Sequence, residues 1–147
     1  MENKIKDILS QNKIIAMIGV SQDLKKTSTI VMKYMQKYGF KVFPVNPKAK
    51  GQKILGEEVF EKITDIKDTV DIVDVFRPSK EAIDIAKDTV SIRAKVLWLQ
   101  LGIKSNQAKK LVEENKIEYI EDKCTKMEYQ KHFLKVRQAF PVLQDLD

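Results

Sequence analysis

The chain has one cysteine, one histidine, one tryptophan and three arginines in 147 residues. Each scarcity excludes a class of chemistry. One cysteine cannot close an internal disulfide, and one cysteine with one histidine cannot supply the ligands of an ordinary zinc site, so no structural metal is expected. Long apolar runs are missing as well. No tract approaches the ~20 residues that span a bilayer, and Met1 is followed by Glu2, Asn3 and Lys4 with no signal-like apolar core behind them. The expectation is a cytoplasmic protein with no membrane partner. There is also no run of basic residues interleaved with aromatics. The net charge of +6 is carried mainly by lysines scattered along the chain, which suits small anionic ligands, argues against nucleic acid as a partner, and in its plainest form is a solvated surface.

What remains is an ordinary globular composition, 43% hydrophobic and 33% charged, at a length suited to one domain over residues 1–147. Apolar stretches of strand length alternate with stretches of helical period, the pattern of βα units around a doubly wound parallel sheet, an α/β fold. Ile14 to Gly19 is the first strand, almost continuously apolar as a strand covered on both faces should be. Lys41–Asn46, Val70–Phe76, Ala94–Leu101 and Ile117–Ile120 follow as strands two to five.

A leading helix over residues 1–12 turns Ile5, Ile8 and Leu9 inward. The second helix is capped by Thr27 or Ser28, faces the core with Ile30, Val31, Tyr34, Met35 and Tyr38, and ends at Gly39. Further helices start at Ser79 and Ser105. Thr125 and Glu128 form a capping-box pattern for a last helix over residues 124–140, ended by Pro141. The stretch from Lys48 to Asp68 is irregular and reads as a connection with at most one helical turn.

In open α/β sheets ligands bind beyond the carboxyl ends of the strands. Four segments stand there: Gly19-Val20-Ser21, Asn46-Pro47-Lys48, Phe76-Arg77-Pro78 and Gln100-Leu101-Gly102. The first leads through Lys25, Lys26, Thr27 and Ser28 into a helix, whose free amides and two lysines could face a phosphate; the alternative is a tight turn capped by Ser28. It lacks the second and third glycines of a dinucleotide fingerprint, where Ser21 and Leu24 stand. Asn46 and Lys48 replace the acid that holds the ribose of unphosphorylated NAD, which fits a phosphorylated ribose, that of coenzyme A or of NADP; the alternative is a turn set by Pro47 among solvated lysines. Arg77 either clamps an anion or pairs with Asp71 or Asp74. Trp98 belongs to the core, with Gln100 and Gly102 just beyond it better placed to meet a ligand.

No catalytic constellation emerges. His132 sits on the last helix, away from the ligand edge, as a surface histidine. Cys124, at a helix start between Lys123 and Lys126, is either an activated thiol or a small buried residue.

In their order along the chain, Gly19-Val20-Ser21, Tyr34, Gly39-Phe40-Lys41-Val42, Pro44-Val45-Asn46-Pro47, Leu55-Gly56-Glu57, Val73-Asp74-Val75-Phe76-Arg77, Trp98-Leu99-Gln100-Leu101-Gly102 and Asp122-Lys123-Cys124 resemble the small stand-alone CoA-binding proteins. Their domain is similar to the CoA-binding part of the succinyl-CoA synthetase alpha subunit. The resemblance implies a Rossmann-like sheet of order 3-2-1-4-5 with CoA across the ends of its first three strands. It places the pyrophosphate at Gly19, Val20, Ser21, Thr27 and Ser28, the phosphorylated ribose at Asn46 to Lys48, and the adenosine side at Phe76 and Arg77. Where the family has a basic residue followed by Pro-Ser, this chain has Lys26-Thr27-Ser28, and where the family has Arg before the late cysteine it has Lys123. The resemblance implies a binder of CoA or its thioesters with no settled reaction. An NADP-dependent reductase, a thiol-exchange enzyme using Cys124, and a nucleotide-responsive regulator acting through a partner stand as alternatives. A homodimer is the expectation from the general frequency of two-fold assemblies.

Overall fold

The structure, a computed structural model, describes residues 2–134; Phe140 and Pro141, assigned to the end of the last helix, lie outside the described residues. Helix α1 (Glu2–Gln11) leads into β1 (Ile14–Ile18), α2 (Thr27–Lys37) and β2 (Lys41–Val45). A 3-10 turn (Pro47–Ala49), a two-stranded hairpin of β3 (Lys53–Ile54) and β4 (Glu57–Glu58), and a second 3-10 turn (Ile63–Asp65) connect to β5 (Ile72–Val75). Then come α3 (Ala82–Ser91), β6 (Val96–Leu99), α4 (Asn106–Glu114), β7 (Glu118–Ile120) and α5 (Thr125–Tyr129), which widens into a π turn over Gln130–Leu134.

All five expected strands enter one parallel sheet, in the order β2-β1-β5-β6-β7, so the third sheet strand lies beside β1. The order 3-2-1-4-5 is therefore corrected to 2-1-3-4-5. The reason is visible at β2. Beyond its outer edge runs the segment after β4, held by a single parallel bridge between Val45 and Phe60, in which Phe60 N donates to the Pro44 carbonyl at 3.0 Å and Asn46 N to the Phe60 carbonyl at 2.9 Å. Pro44 has no N–H to continue that ladder, so this edge holds a bridge and not a strand.

Side chains alternate across the sheet and build a core on each face. Ile15 and Met17, Ile72, and Val96 and Trp98 face α1, α2 and α5; Ala16, Val73 and Val75, and Leu97 and Leu99 face α3 and α4. The leading helix buries Ile5, Ile8 and Leu9 as its period requires. On α2 the buried face is rotated from the expected one: Val31, Met32 and Met35 are buried, while Ile30 is 44% exposed. Ser105 caps α4, accepting from Ala108 N at 3.1 Å. The Ser79 helix instead begins as a 3-10 turn and becomes regular only at Ala82.

One member of the inner face is a carboxylic acid. Asp74, opposite Met17 and Trp98 in the sheet register, is fully buried. Gln100 Nε2 donates to its Oδ1 at 2.5 Å and Thr125 Oγ1 to its Oδ2 at 3.0 Å. The expected capping box at Thr125 does not form, because this hydroxyl is turned into the sheet and Cys124 occupies the cap position. Trp98 is core, with Nε1 donating to the Lys123 carbonyl at 2.8 Å. Together these bonds fasten the start of α5 to β5 and β6.

Burial pushes the Asp74 carboxyl up to about 7, against the hydrogen bonds that favour its ionised form. The folded state then holds a proton that the unfolded chain, with a carboxyl near ~3.9, has released. Its contribution to stability is complete below the unfolded value and is lost as pH rises through about 7. Denaturation midpoints should fall between mildly acidic and alkaline pH, and Asp74→Asn, with the Gln100 amide turned over to accept, should flatten that fall. An unchanged slope in Asp74→Asn would assign the pH dependence to other groups.

Candidate functional site

The connections from β1 and β5 leave for opposite faces of the sheet, β1 to α2 and β5 to α3, so a crevice opens between their carboxyl ends. Gly19 forms its floor. Its φ is +93°, and a Cβ there would lie 2.7 Å from the Phe76 carbonyl oxygen and 3.1 Å from Arg77 Cδ. Glycine is thus required twice, for its dihedral and for the approach of the two strand ends.

From this floor the loop is built by its own short side chains. The Ser21 hydroxyl accepts from Asp23 N (3.0 Å) and the Asp23 carboxylate from Lys25 N (2.9 Å). Ser28 Oγ accepts from Ser21 N (3.2 Å), and Thr29 Oγ1 donates to the Ser21 carbonyl (2.6 Å). Ser28, expected as a possible helix cap, therefore serves the loop. Lys26 is the residue at the cap position, and no side chain closes the first turn. The amides of Thr27, Ser28 and Thr29 are left without an acceptor among the described residues, in a first turn that contains no acid, behind exposed Lys25 and Lys26. Val20 is fully buried, so only its backbone lines the crevice.

The second strand end is tied to the first. Asn46 Nδ2 donates to the Val20 carbonyl (2.9 Å), and its Oδ1 accepts from Lys48 N (3.0 Å) in the turn opened by Pro47. Both ends of the amide are engaged, which holds the exposed Lys48 next to the loop. Gln22 also bonds to Gln52 across the same gap. At the third strand end Phe76 is half-buried, and Arg77 pairs with Glu81, not with Asp71 or Asp74, through contacts of 3.1 and 2.7 Å. This pair is half-exposed. Surface pairs of that kind are worth ~0.2–1 kcal/mol, so an incoming anion could displace the Glu81 carboxylate from the guanidinium.

The fourth strand end differs from expectation. The Gln100 side chain is buried and committed to Asp74, so it faces the core and not the crevice. Gly102 stays at the edge, its amide donating to Asp122 Oδ1 at 2.7 Å. Cys124 is buried, and burial pushes its thiol up, which matches a small packed residue and not an activated nucleophile. His132 is largely covered instead of lying on the surface, with Nε2 3.5 Å from Glu128 Oε1. Thr29 and Asp23, both central to the loop, carried no individual signal in the sequence beyond a Ser/Thr cluster and a turn-forming acid.

Two outcomes follow. Gly19→Ala should destabilise by about 2 kcal/mol or more, because strain and a backbone clash combine. Gly39→Ala, with a similar φ of +94° and open space around it, should show the dihedral penalty alone. Equal losses in chemical denaturation would refute the close approach at Gly19. Alkylation of Cys124 should be slow in the native protein through neutral pH and fast in denaturant; fast native labelling below neutral pH would restore the activated thiol.

A family model described as a CoA binding domain matches residues 13–130 of the chain. The uncharacterized protein YneT of Bacillus subtilis is 34% identical over 124 residues, covering 84% of this chain and 90% of that one. The solved structure of cell-free ID.343 from Thermus thermophilus superposes with a TM-score of 0.86 at 33% identity, over 90% of this chain and 99% of the other. A stretch of 71 residues is 28% identical to the ADP-forming acetate–CoA ligase of Methanocaldococcus jannaschii, 48% of this chain but 10% of that enzyme. A crevice floored by glycine at the sheet's switch point, ringed by unpaired amides and lysines, thus coincides with a match over most of the sequence: the chain belongs to the CoA-binding domain family.

Proposed function

We propose that the protein binds coenzyme A along the carboxyl ends of β2, β1 and β5. The observation that carries this reading is the open first turn of α2, three unpaired amides and no acid, set against the Gly19 crevice. Helix amides with a positive dipole end hold a pyrophosphate well, and Gly19 admits it close to the backbone. Val20 contributes its backbone, Ser21 and Ser28 keep the loop in shape, and Lys25, Lys26 and Thr27 stand at its rim. Lys48, held by Asn46 and Pro47, meets the phosphate on the ribose. Phe76 and Arg77 border the adenosine side, and Gly102 closes the far end. NADP also carries a ribose phosphate, and membership of the family favours CoA over it.

Ligand that binds only the native state raises its stability, by ~2.7 kcal/mol at a hundredfold excess over Kd. In thermal-shift titrations CoA should give the largest shift, dephospho-CoA a smaller one, and NAD little. Lys48→Ala should weaken CoA by about tenfold, the equivalent of 1.4 kcal/mol, and should remove most of its advantage over dephospho-CoA. A bulky residue at Ser21 should abolish binding without unfolding the chain. Equal responses to CoA and dephospho-CoA would remove the role given to Lys48, and a preference for NADP would overturn the assignment to CoA.

A further inference from the structure

An open groove of about 880 Å³ runs along the outer side of α2. One wall is a stripe of α2, Ile30, Lys33 and Lys37; the other is Lys126, Gln130 and Leu134, at four-residue intervals along α5 and its π turn. Side chains of two helices thus border the groove, over about 10 Å of each helix axis.

The chemistry of the walls narrows the occupant. Leu24, Ile30 and Leu134 are 65%, 44% and 40% exposed and line the same groove, where clustered and not scattered exposure marks an interaction surface. Lys33, Lys37 and Lys126 supply all the charge of the described lining, and none of them is in an ion pair among the described residues. Lys37 and Lys126 rest over the rings of Tyr38 and Tyr34, at 5.4 and 5.3 Å from the centroids. A second copy laid on this surface would bring the same lysines together, so self-association is opposed by like charge.

We propose that the groove is a docking site for a short amphipathic helix of a partner protein, apolar where it meets Leu24, Ile30 and Leu134 and acidic where it meets Lys33, Lys37 and Lys126. Helix-in-groove recognition reads apolar anchors at i, i+3, i+4 and i+7, and the flanking charges set the choice of partner. The groove adjoins the crevice proposed for CoA and shares Leu24 and Thr29 with its loop, but the walls that carry Lys33, Lys37, Lys126 and Leu134 lie beyond it, and either assignment can fail alone.

The test uses the full chain and fluorescein-labelled helical peptides followed by anisotropy. One peptide has leucines at the anchor spacing with glutamates beside them, a second has lysines in place of the glutamates, and a third has serines in place of the leucines. The acidic amphipathic peptide should bind, more weakly at high salt, and the other two should not. Ile30→Asp and the double variant Lys33→Glu with Lys37→Glu should each weaken it by about tenfold or more, with melting curves and the CoA-induced thermal shift unchanged. No binding, equal binding of the basic peptide, or indifference to the charge reversal would overturn the proposal. So would binding seen only in a full-length variant carrying Phe140→Ser, Leu143→Ser and Asp145→Asn, since the chain's own residues 138–147 would then be the occupant.

Discussion

The carbonyl oxygen of Phe76 lies 2.7 Å from where the Cβ of any larger residue at position 19 would be, and much of the molecule is arranged around that contact. It sets how near the ends of β1 and β5 approach, and therefore the width of the crevice. It fixes the direction in which the chain leaves β1, and so the angle at which α2 presents its first turn. Side chains that in another helix would close that turn are used here to tie the loop back on itself: Ser28 and Thr29 both bond to the backbone of Ser21. The helix end stays open because its local hydroxyls are occupied elsewhere. Asn46 extends the same arrangement sideways, joining the Val20 carbonyl to the turn that carries Lys48.

Deeper on the same face of the sheet, beneath α5, a second polar arrangement does a different task. The bonds from Gln100 and Thr125 to Asp74, and from Trp98 to the Lys123 carbonyl, join three segments distant in sequence. Apolar packing alone would let α5 slide across the inner face, since hydrophobic contact has little direction. Hydrogen bonds from a buried acid specify one position. That position also places Lys126, Gln130 and Leu134 opposite α2, so the shape of the outer groove depends on a carboxyl group in the core.

Much of this was legible in the residues. Apolar runs of strand length marked all five sheet strands, the first almost continuous, and glycine at the end of that first strand marked the crevice. Periodicity was less informative about rotation: it placed Ile30 inward on α2, whereas Met32, about 200° away around the axis, is buried there, because the neighbouring elements decide which flank of the Val31–Met35 stripe is covered. Strand order was not legible, since the outer edge of β2 is met by the Phe60 segment while the third sheet strand pairs with β1, contacts that leave no local pattern. Nor were the partners of polar side chains. Arg77 found Glu81, one helical turn ahead, in preference to the acids in its own strand. Gln100 looked like a rim residue until Asp74 and Thr125, 26 and 25 residues away, drew it inward. Such pairings arise from the fold and leave no local pattern.

The missing donor at Pro44 also bears on how copies of this chain could meet. An open parallel sheet has two free edges, and each is a template for another strand. At one of them the ladder stops after the single bridge to Phe60. At the other, β7 is only three residues long, with Glu118 at its start held by Lys4 of the leading helix. Among the described residues, neither edge offers a long, regular run of unpaired backbone to recruit a neighbour. Assembly by sheet extension is therefore discouraged at both ends, and the surfaces left for association are those of the helices.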